Sequence, residues 1–152
     1  MPCQVRAFTP ADQDAARALI LAGLGERFGF VDETRNPDLD DIAASYLAPG
    51  HRFVVAELAG EVVGTGGLLF EPDGVTCQLV RVSVRRDLRR QGIAQALVGA
   101  LLAEARERGL RRVWGETDEP WHDAIALYQR LGFAVYERRD GLVFLEQSLS
   151  AG

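Results

Sequence analysis

The sequence contains no lysine, and all seventeen of its basic residues are arginines. A P-loop needs a lysine that reaches the nucleotide phosphates, and Schiff-base catalysis needs a lysine amine, so both kinds of site are excluded. Cysteine is also scarce: Cys3 and Cys77 lie far apart and form no CxxC pair, and histidine occurs only at His51 and His122. Two cysteines this far apart favour reduced thiols over a disulfide framework. With so few cysteines and histidines as ligands, we expect no metal site.

Long apolar segments are missing as well. No run of about 18 apolar residues occurs, and the N-terminus has no basic stretch followed by an apolar one. We therefore expect neither a membrane partner nor secretion, which leaves the cytoplasm as the default location. The net charge is −5. Because the phosphate backbone repels an acidic protein, we expect no nucleic-acid partner, whereas a cationic small molecule suits this charge.

What the sequence does contain is an apolar pattern that runs nearly from end to end of its 152 residues. It has no internal repeat, low-complexity tract or linker, so we expect one α/β domain over residues 1–152. Strands are expected at residues 5–8, 53–58, 61–70, 75–84, 112–117, 133–138 and 142–147. Helices are expected at about residues 9–22, 36–47, 92–108 and 124–131.

The first two helices are predicted from their end signals. Thr9 and Pro10 supply a capping hydroxyl and a proline for the first turn. Gly23 and the glycines after it are expected to end that helix, which leaves residues 23–35 as a loop. Within this loop, Phe28-Gly29-Phe30 would either wall a substrate pocket or anchor the loop to the core.

The middle of the sequence predicts a mixed sheet. Three strands in succession form an antiparallel meander, and the third of them, residues 75–84, leads through a helix to residues 112–117. Such a crossover makes these two strands parallel neighbours. Gly64-Thr65-Gly66-Gly67 lies inside a strand and lacks the further glycine of a dinucleotide-binding loop, so we expect a bulge or a close backbone approach there.

Residues 82–94 run from a strand, through a basic loop, into a long amphipathic helix. The N-terminus of a helix has unpaired amides and a partial positive charge, which suits a diphosphate. Gly92 allows the backbone to approach a phosphate closely, and Ala94 keeps the first turn open. Arg89 and Arg90 add positive charge beside these amides.

The pattern Arg89-x-x-Gly92-x-Ala94 is similar to the R/Q-x-x-G-x-G/A signature of the GNAT acetyltransferase superfamily. A later stretch resembles the second motif of that family: residues 124–133, which are Ala-Ile-Ala-Leu-Tyr-Gln-Arg-Leu-Gly-Phe. The resemblance covers at least residues 53–138. It implies an α/β fold of element order βααβββαβαββ, with a central mixed sheet flanked by helices on both faces.

The resemblance also implies a donor substrate, acetyl-CoA, and a set of site residues. A bulge in the fourth strand would separate it from the fifth, and the backbone of Val82, Ser83 and Val84 would bind the pantetheine and polarise the thioester carbonyl. The diphosphate would be held by Arg89, Arg90, Gln91, Gly92, Ile93, Ala94 and Gln95. Tyr128 would protonate the leaving thiolate, since a phenol of pKa about 10 is a suitable donor. Trp121 would either pack against the pantetheine or cap the core.

The general base is the main departure from the family. Many relatives have a glutamate early in the fourth strand, where this sequence has Gln78, and an amide cannot accept the proton of an ammonium. The candidate replacements are Glu116, Asp118, Glu71, Asp32 and Glu33. We take Glu116 as the catalytic candidate, although for each carboxylate a solvated surface charge is the competing interpretation.

Three functions follow from these residues. The first is an N-acetyltransferase that moves an acetyl group to an amine of a small molecule or peptide. The second is an acyl-CoA-binding sensor with weak catalysis, which Gln78 favours. The third is an interaction domain that binds no cofactor. A serine hydrolase is excluded, because Ser83 lies in no Gly-x-Ser-x-Gly turn. An exposed sheet edge would offer a route to a homodimer.

Overall fold

A computed structural model of the protein describes residues 3–28 and 36–149. Within these ranges the strands are β1 (Gln4–Ala7), β2 (Arg52–Leu58), β3 (Glu61–Phe70), β4 (Thr76–Val84), β5 (Arg112–Asp118), β6 (Ala134–Arg139) and β7 (Leu142–Ser148). The α-helices are α1 (Gln13–Phe28), α2 (Ile93–Glu107) and α3 (His122–Arg130). None of the helices in these ranges has the length and apolar character that a membrane span requires.

The strands form one mixed sheet in the order β1-β2-β3-β4-β5-β7-β6. Only β4 and β5 pair in parallel; the other neighbours are antiparallel. The parallel pair is the one that the crossover through α2 predicted, and the predicted fold class is confirmed. Strands β1 and β6 are the two edges, and a homodimer through one of them stays a prediction.

Apolar side chains cover both faces of the sheet, because successive strand residues point to opposite sides. Val54 and Ala56 of β2 belong to a cluster with the apolar stripe of α2, whereas Phe53 and Val55 belong to a cluster with α1. Full burial of one such side chain contributes about 1.5–3 kcal/mol. The two clusters therefore hold helices against both faces.

The glycines of β3 are explained by the close approach of α2. A Cβ added to Gly64 would lie 2.8 Å from Cδ1 of Leu97, and one added to Gly66 would lie 3.1 Å from Cδ1 of Leu101. The pairing of β3 with β4 also shifts register between Thr65 and Gly67. Of the two alternatives expected for this stretch, the close approach is confirmed, whereas the extra residue at this register shift lies in β4.

The first helix is longer than predicted. α1 continues through Gly23 and Gly25 to Phe28, so residues 23–28 of the predicted loop are helical, and residues 29–35 lie outside the described ranges. A glycine inside a helix costs about 1 kcal/mol, but tertiary contacts outweigh that cost. Leu24 packs in the core, and Glu26 and Arg27 form ion pairs with distant elements.

The second predicted helix is replaced by two separate turns. Residues Pro37–Leu39 form a 3-10 turn, and Ala43–Leu47 form a π-helical turn. The side chain of Gln13 explains the interruption, because its Nε2 donates to the Leu39 carbonyl at 2.7 Å and its Oε1 accepts from the Ile42 amide at 2.9 Å. A side chain of α1 thus takes the hydrogen bonds that a continuous helix would have made.

Candidate active site

A cleft opens where β4 and β5 separate. The two strands pair only at Thr76 with Arg112, Cys77 with Val113 and Gln78 with Trp114. Beyond Gln78 the β5-facing edge of β4 has no partner strand among the described residues. Apart from the Val84 carbonyl, which accepts a hydrogen bond from Arg89, its backbone groups are available to a ligand.

A bulge in β4 accompanies this separation. Val80 pairs with Gly67 and Ser83 pairs with Thr65, so two residues of β4 lie opposite one residue of β3. Arg81, the first of the two, has a φ of 53°. A bulge of this kind bends a strand and increases its twist. The resemblance to the acetyltransferase family implied this bulge.

The cleft has a volume of about 1490 Å³. Drug-sized ligands occupy pockets of about 300–1,000 Å³, so the cleft has room for a larger, extended ligand. Its walls are the end of β4, the first turn of α2, α3 and the last turns of α1. The predicted site residues that line it are Val82, Ser83, Val84, Arg89, Arg90, Gly92, Ile93, Ala94, Gln95, Glu116, Trp121 and Tyr128. Gln91 is exposed and does not line the cleft.

The start of α2 presents backbone amides at one end of the cleft. Arg90 and Gly92 both have positive φ, 66° and 82°. The first helical hydrogen bond runs from the Ala96 amide to the Gly92 carbonyl at 3.0 Å. The amides of residues 93–95 therefore have no acceptor within the helix. Left-handed residues before a helix start shape the backbone into a concave anion site.

Arg89 links this loop to α1. Its Nη1 and Nη2 donate to the Glu26 carboxylate at 2.7 and 3.1 Å, and its Nε donates to the Val84 carbonyl at 3.2 Å. The hydrogen bond from Arg89 holds the pKa of Glu26 below its ordinary value. A carboxylate therefore lies beside the anion site, neutralised by the first arginine of the signature.

The end of α1 also contacts the start of α3. Arg27 donates to the two carboxylate oxygens of Asp123 at 2.6 and 2.9 Å. Its guanidinium carbon lies 4.6 Å from the centre of the Trp121 ring, a cation–π distance. The indole of Trp121 is half-buried and lines the cleft. α1 thus joins both walls of the cleft, a role that the sequence did not indicate.

Tyr128 lies where the cleft meets a second, smaller pocket. Its ring packs edge-on against Phe133, with 5.4 Å between the ring centres. On the other side, a Cβ added to Gly115 would lie 3.8 Å from Cε1 of Tyr128, an ordinary contact distance. Burial raises the pKa of Tyr128 to about 12. The phenol is therefore un-ionised throughout the physiological pH range.

The smaller pocket has a volume of about 530 Å³, which suits a small amine or one side chain. It is lined by Asp38, Ser45, Tyr46, Leu69, Gln78, Leu79, Val80, Arg81, Glu116 and Tyr128. Three of these residues, Arg81, Glu116 and Tyr128, also line the large cleft. The two spaces therefore meet at these three side chains.

The structure describes three of the five candidate bases and separates them. Glu116 is exposed, borders both pockets and has no ion-pair or hydrogen-bond partner within the described ranges. Glu71 accepts a hydrogen bond from the Trp114 indole at 2.9 Å and borders neither pocket, nor does Asp118. Asp32 and Glu33 lie outside the described residues. Of the described candidates, only Glu116 has the required position.

The smaller pocket contains an ion pair that sequence reasoning missed. Arg81 donates to Asp38 from Nη2 at 2.7 Å and from Nε at 3.0 Å, and the Tyr46 hydroxyl donates to Asp38 at 2.6 Å. Burial acts to raise the pKa of Asp38, but the hydrogen bonds from Arg81 and Tyr46 outweigh it and the pKa lies below its ordinary value. The positive charge of Arg81 is thus neutralised.

The sequence model of the Acetyltransferase (GNAT) family matches residues 14–133. The uncharacterized N-acetyltransferase YjgM of Escherichia coli (strain K12) is 38% identical over 100 residues, which are 64% of this chain and 60% of YjgM. Other curated N-acetyltransferases match over about half of their own length.

Two solved structures have the same fold. An acetyltransferase of the GNAT family from Staphylococcus aureus Mu50 has a TM-score of 0.89 at 20% identity, covering 98% of this chain and 100% of its own. The acetyltransferase yncA from Salmonella typhimurium, determined with its cofactor acetyl-CoA, has a TM-score of 0.79 at 20% identity, covering 100% of this chain and 96% of its own.

Proposed function

Because the chain belongs to the GNAT acetyltransferase family, we propose that it moves an acetyl group from acetyl-CoA to an amine of a small molecule or peptide by direct attack. One observation carries the proposal. A single cleft is lined by the free amides at the start of α2 and by Tyr128 and Glu116, which also line a second pocket. This arrangement would give the donor the cleft and the acceptor the connected smaller pocket.

The donor would bind along β4 and α2. The amides at the start of α2, with Arg90 beside them, suit the diphosphate. The unpaired edge of β4 at residues 82–84 suits the pantetheine and the thioester carbonyl, because a strand edge offers backbone donors and acceptors in a row. Backbone amides that face a developing oxyanion stabilise it without reorganisation. The yncA structure with acetyl-CoA supports this choice of donor.

The acceptor would enter the smaller pocket as an ammonium ion. Alkyl ammonium groups have a pKa of about 10.4 and must lose a proton before they attack. Glu116 is the unpaired charge among the described lining residues, because Asp38 neutralises Arg81. We assign Glu116 two tasks: it attracts the ammonium, and it takes the proton, directly or through water.

The chemistry needs no covalent enzyme intermediate. The amine nitrogen bonds to the thioester carbon, the carbon–sulfur bond breaks, and the thiolate leaves. Cys77, the thiol on β4, is fully buried, and burial raises its pKa to about 11, so it is a poor nucleophile. Direct transfer therefore suits this site better than an acyl-cysteine route.

Tyr128 acts on the leaving thiolate. Burial raises the pKa of Tyr128 to about 12, so the phenol is protonated at every physiological pH. Burial raises the pKa of a thiol as well, so a thiolate formed in the same cleft is a stronger base than a thiolate in water. Tyr128 would therefore donate a hydrogen bond to the leaving thiolate and give it the proton, which is the general-acid role that the resemblance implied.

The acyl-CoA-binding sensor differs from the proposed acetyltransferase only in its turnover. It keeps the donor site but lacks an effective base, and Gln78 in the smaller pocket favours it. A thiol-release assay with acetyl-CoA and a panel of amino acids, polyamines, aminoglycosides and peptide N-termini separates the two. We expect amine-dependent thiol release. Binding of acetyl-CoA in calorimetry without any such release would favour the sensor, and no binding at all would refute both.

A further inference from the structure

Arg81 has an unusual backbone for a strand residue. The non-glycine residues with positive φ among the described ones are Ala59, Arg81, Arg90 and Asp140. The other three lie in turns or loops, whereas Arg81 lies within β4. A side chain with a Cβ resists this left-handed conformation, so the surroundings must hold it in place.

Contacts on both the side chain and the backbone of Arg81 hold this conformation. The guanidinium is bonded twice to Asp38 and also donates to Oδ1 of Asn36 at 3.2 Å. The carbonyl of Arg81 accepts a hydrogen bond from Oγ1 of Thr65 at 2.8 Å. Thr65 is fully buried on the neighbouring strand, next to the shift in register. Arg81 is therefore held by the segment that carries Asn36 and Asp38 and by Thr65 of β3. We call these contacts the clamp.

The Asp38 end of the clamp is itself anchored. Tyr46 donates its hydroxyl to Asp38, and its ring packs in the core with 5.0 Å between its centre and that of Phe53. Charged hydrogen bonds that are partly buried, as these are, are stronger and more directional than exposed ones. The bulge is thus tied to the packed core.

We infer that Asp38 and Thr65 are positioning residues: they hold Arg81 in its strained conformation, and the bulge so formed presents residues 82–84 to the thioester. The inference rests on the proposed function. Asp38, Tyr46 and Arg81 also line the acceptor pocket, so one network would fix both the acceptor pocket and the donor strand. Both act through Arg81, because the Asp38 carboxylate is bonded to Arg81 and Tyr46 and Thr65 is fully buried.

The first test compares Asp38→Asn with Asp40→Asn, an exposed residue of the same segment. We expect Asp38→Asn to lower kcat about 10- to 100-fold, less than the roughly 10²- to 10³-fold loss on removing an oxyanion donor, because the donor is displaced and not removed. The Kd for CoA should rise by a smaller factor than kcat falls, because the displaced strand weakens the pantetheine contacts while the amides of α2 still bind the diphosphate. Asp40→Asn should match the wild type in both. A loss of thermal stability in Asp38→Asn with unchanged kcat would mean a purely structural ion pair.

A second pair of variants tests the backbone strain directly. Arg81→Ala and Arg81→Gly both remove the guanidinium, but glycine adopts positive φ without strain. We expect Arg81→Gly to keep the bulge in its crystal structure and to retain several-fold more activity than Arg81→Ala. Equal activity and equal bulge geometry in the two variants would contradict the inference.

The third test uses Thr65 and does not depend on turnover. Thr65→Val removes the hydroxyl at similar size, and Thr65→Ser keeps it. Difference infrared spectra of acetyl-CoA labelled with ¹³C at the thioester carbonyl measure its polarisation in the site. We expect a lowered carbonyl stretch in the wild type and Thr65→Ser, and a smaller shift in Thr65→Val and Asp38→Asn. Identical bands in all four proteins would overturn the inference.

Different results would refute the proposed function and the inference about Arg81. If the wild type binds acetyl-CoA without transferring it to any amine, the proposed function fails, and the infrared bands still test the clamp. If the wild type does not bind acetyl-CoA, crystal structures of Asp38→Asn and Thr65→Val test it. An undisturbed φ at residue 81 in both variants would then reject it, and a relaxed φ would support it.

Discussion

The guanidinium of Arg89 binds the carboxylate of Glu26 across 63 residues of sequence, with Nη1 2.7 Å from Oε2. Arg89 is the first residue of the motif that resembles the family signature, and its charge is compensated before any ligand binds. We therefore expect a diphosphate to bind the backbone amides and Arg90, and we expect Arg89 to neutralise the Glu26 carboxylate at the edge of the cleft.

Replacing Arg89 tests this view. We expect Arg89→Ala to weaken CoA binding about tenfold, or about 1.4 kcal/mol, because Glu26 is left uncompensated near the diphosphate. Adding Glu26→Gln to that variant should recover part of the loss. Isothermal titration calorimetry at fixed ionic strength measures both effects. Equal affinity in the single and double variants would show that the charge of Glu26 does not reach the ligand.

Tyr128→Phe removes the hydroxyl and leaves the ring against Phe133. We expect kcat to fall about tenfold to a thousandfold with little change in acetyl-CoA affinity, because the hydroxyl acts on the leaving thiolate. Steady-state kinetics and calorimetry measure the two quantities. Tyr136→Phe, on the exposed edge strand β6, is the matched control and should behave as the wild type. Unchanged turnover in Tyr128→Phe would remove the residue from the reaction.

The ionisation of Tyr128 gives a pH prediction. Its pKa is about 12 in the folded protein, against about 10 for an unperturbed tyrosine. The protonated form therefore stabilises the fold fully below pH about 10, and this contribution is lost as the pH rises towards 12. Phenolate absorbance of the wild type minus that of Tyr128→Phe should not appear below pH about 11 while circular dichroism reports a folded chain. A difference signal centred near pH 10 would contradict the burial.

Glu116 is tested with an isosteric change. We expect Glu116→Gln to lower kcat/KM for the amine about 10²-fold with unchanged affinity for CoA, since the site loses its proton acceptor and its unpaired negative charge. Asp118→Asn, two residues further along β5 and outside both pockets, should leave the kinetics unchanged. The thiol-release assay provides the rates. Full activity in Glu116→Gln would assign proton removal to another group.

The packing of α2 on β3 gives a stability prediction. Gly64→Ala would place a Cβ 2.8 Å from Leu97, so we expect a loss of about 1–3 kcal/mol. Gly99→Ala on the exposed side of α2 meets no atom within 4 Å and should stabilise the helix by up to about 1 kcal/mol. Urea denaturation of both variants measures the free energy of unfolding. If Gly64→Ala and the wild type had equal free energies of unfolding, α2 would be able to move away from β3 without cost.

Local sequence patterns predicted the structure correctly wherever it is determined by interactions between residues close in sequence. The strand, basic loop and helix over residues 82–94 were predicted because the end signals, the apolar stripe and the glycine lie within one short stretch. The hairpin of β6 and β7 joins two consecutive predicted strands, and the parallel pairing of β4 with β5 follows from the crossover through α2. The same reasoning failed at Gly23, where contacts with distant residues extend α1 past its expected end.

The sequence by itself determined the family, the fold class and the order of the strands and of three α-helices, because hydrophobic periodicity and short motifs are properties of consecutive residues. Tertiary structure alone decided which charges meet: Arg81 with Asp38, 43 residues apart, and Arg27 with Asp123, 96 residues apart. It also decided that Glu116 borders both pockets while Asp118 borders neither. Ion pairs depend on distances through space, and only the packed sheet brings such residues within reach of each other.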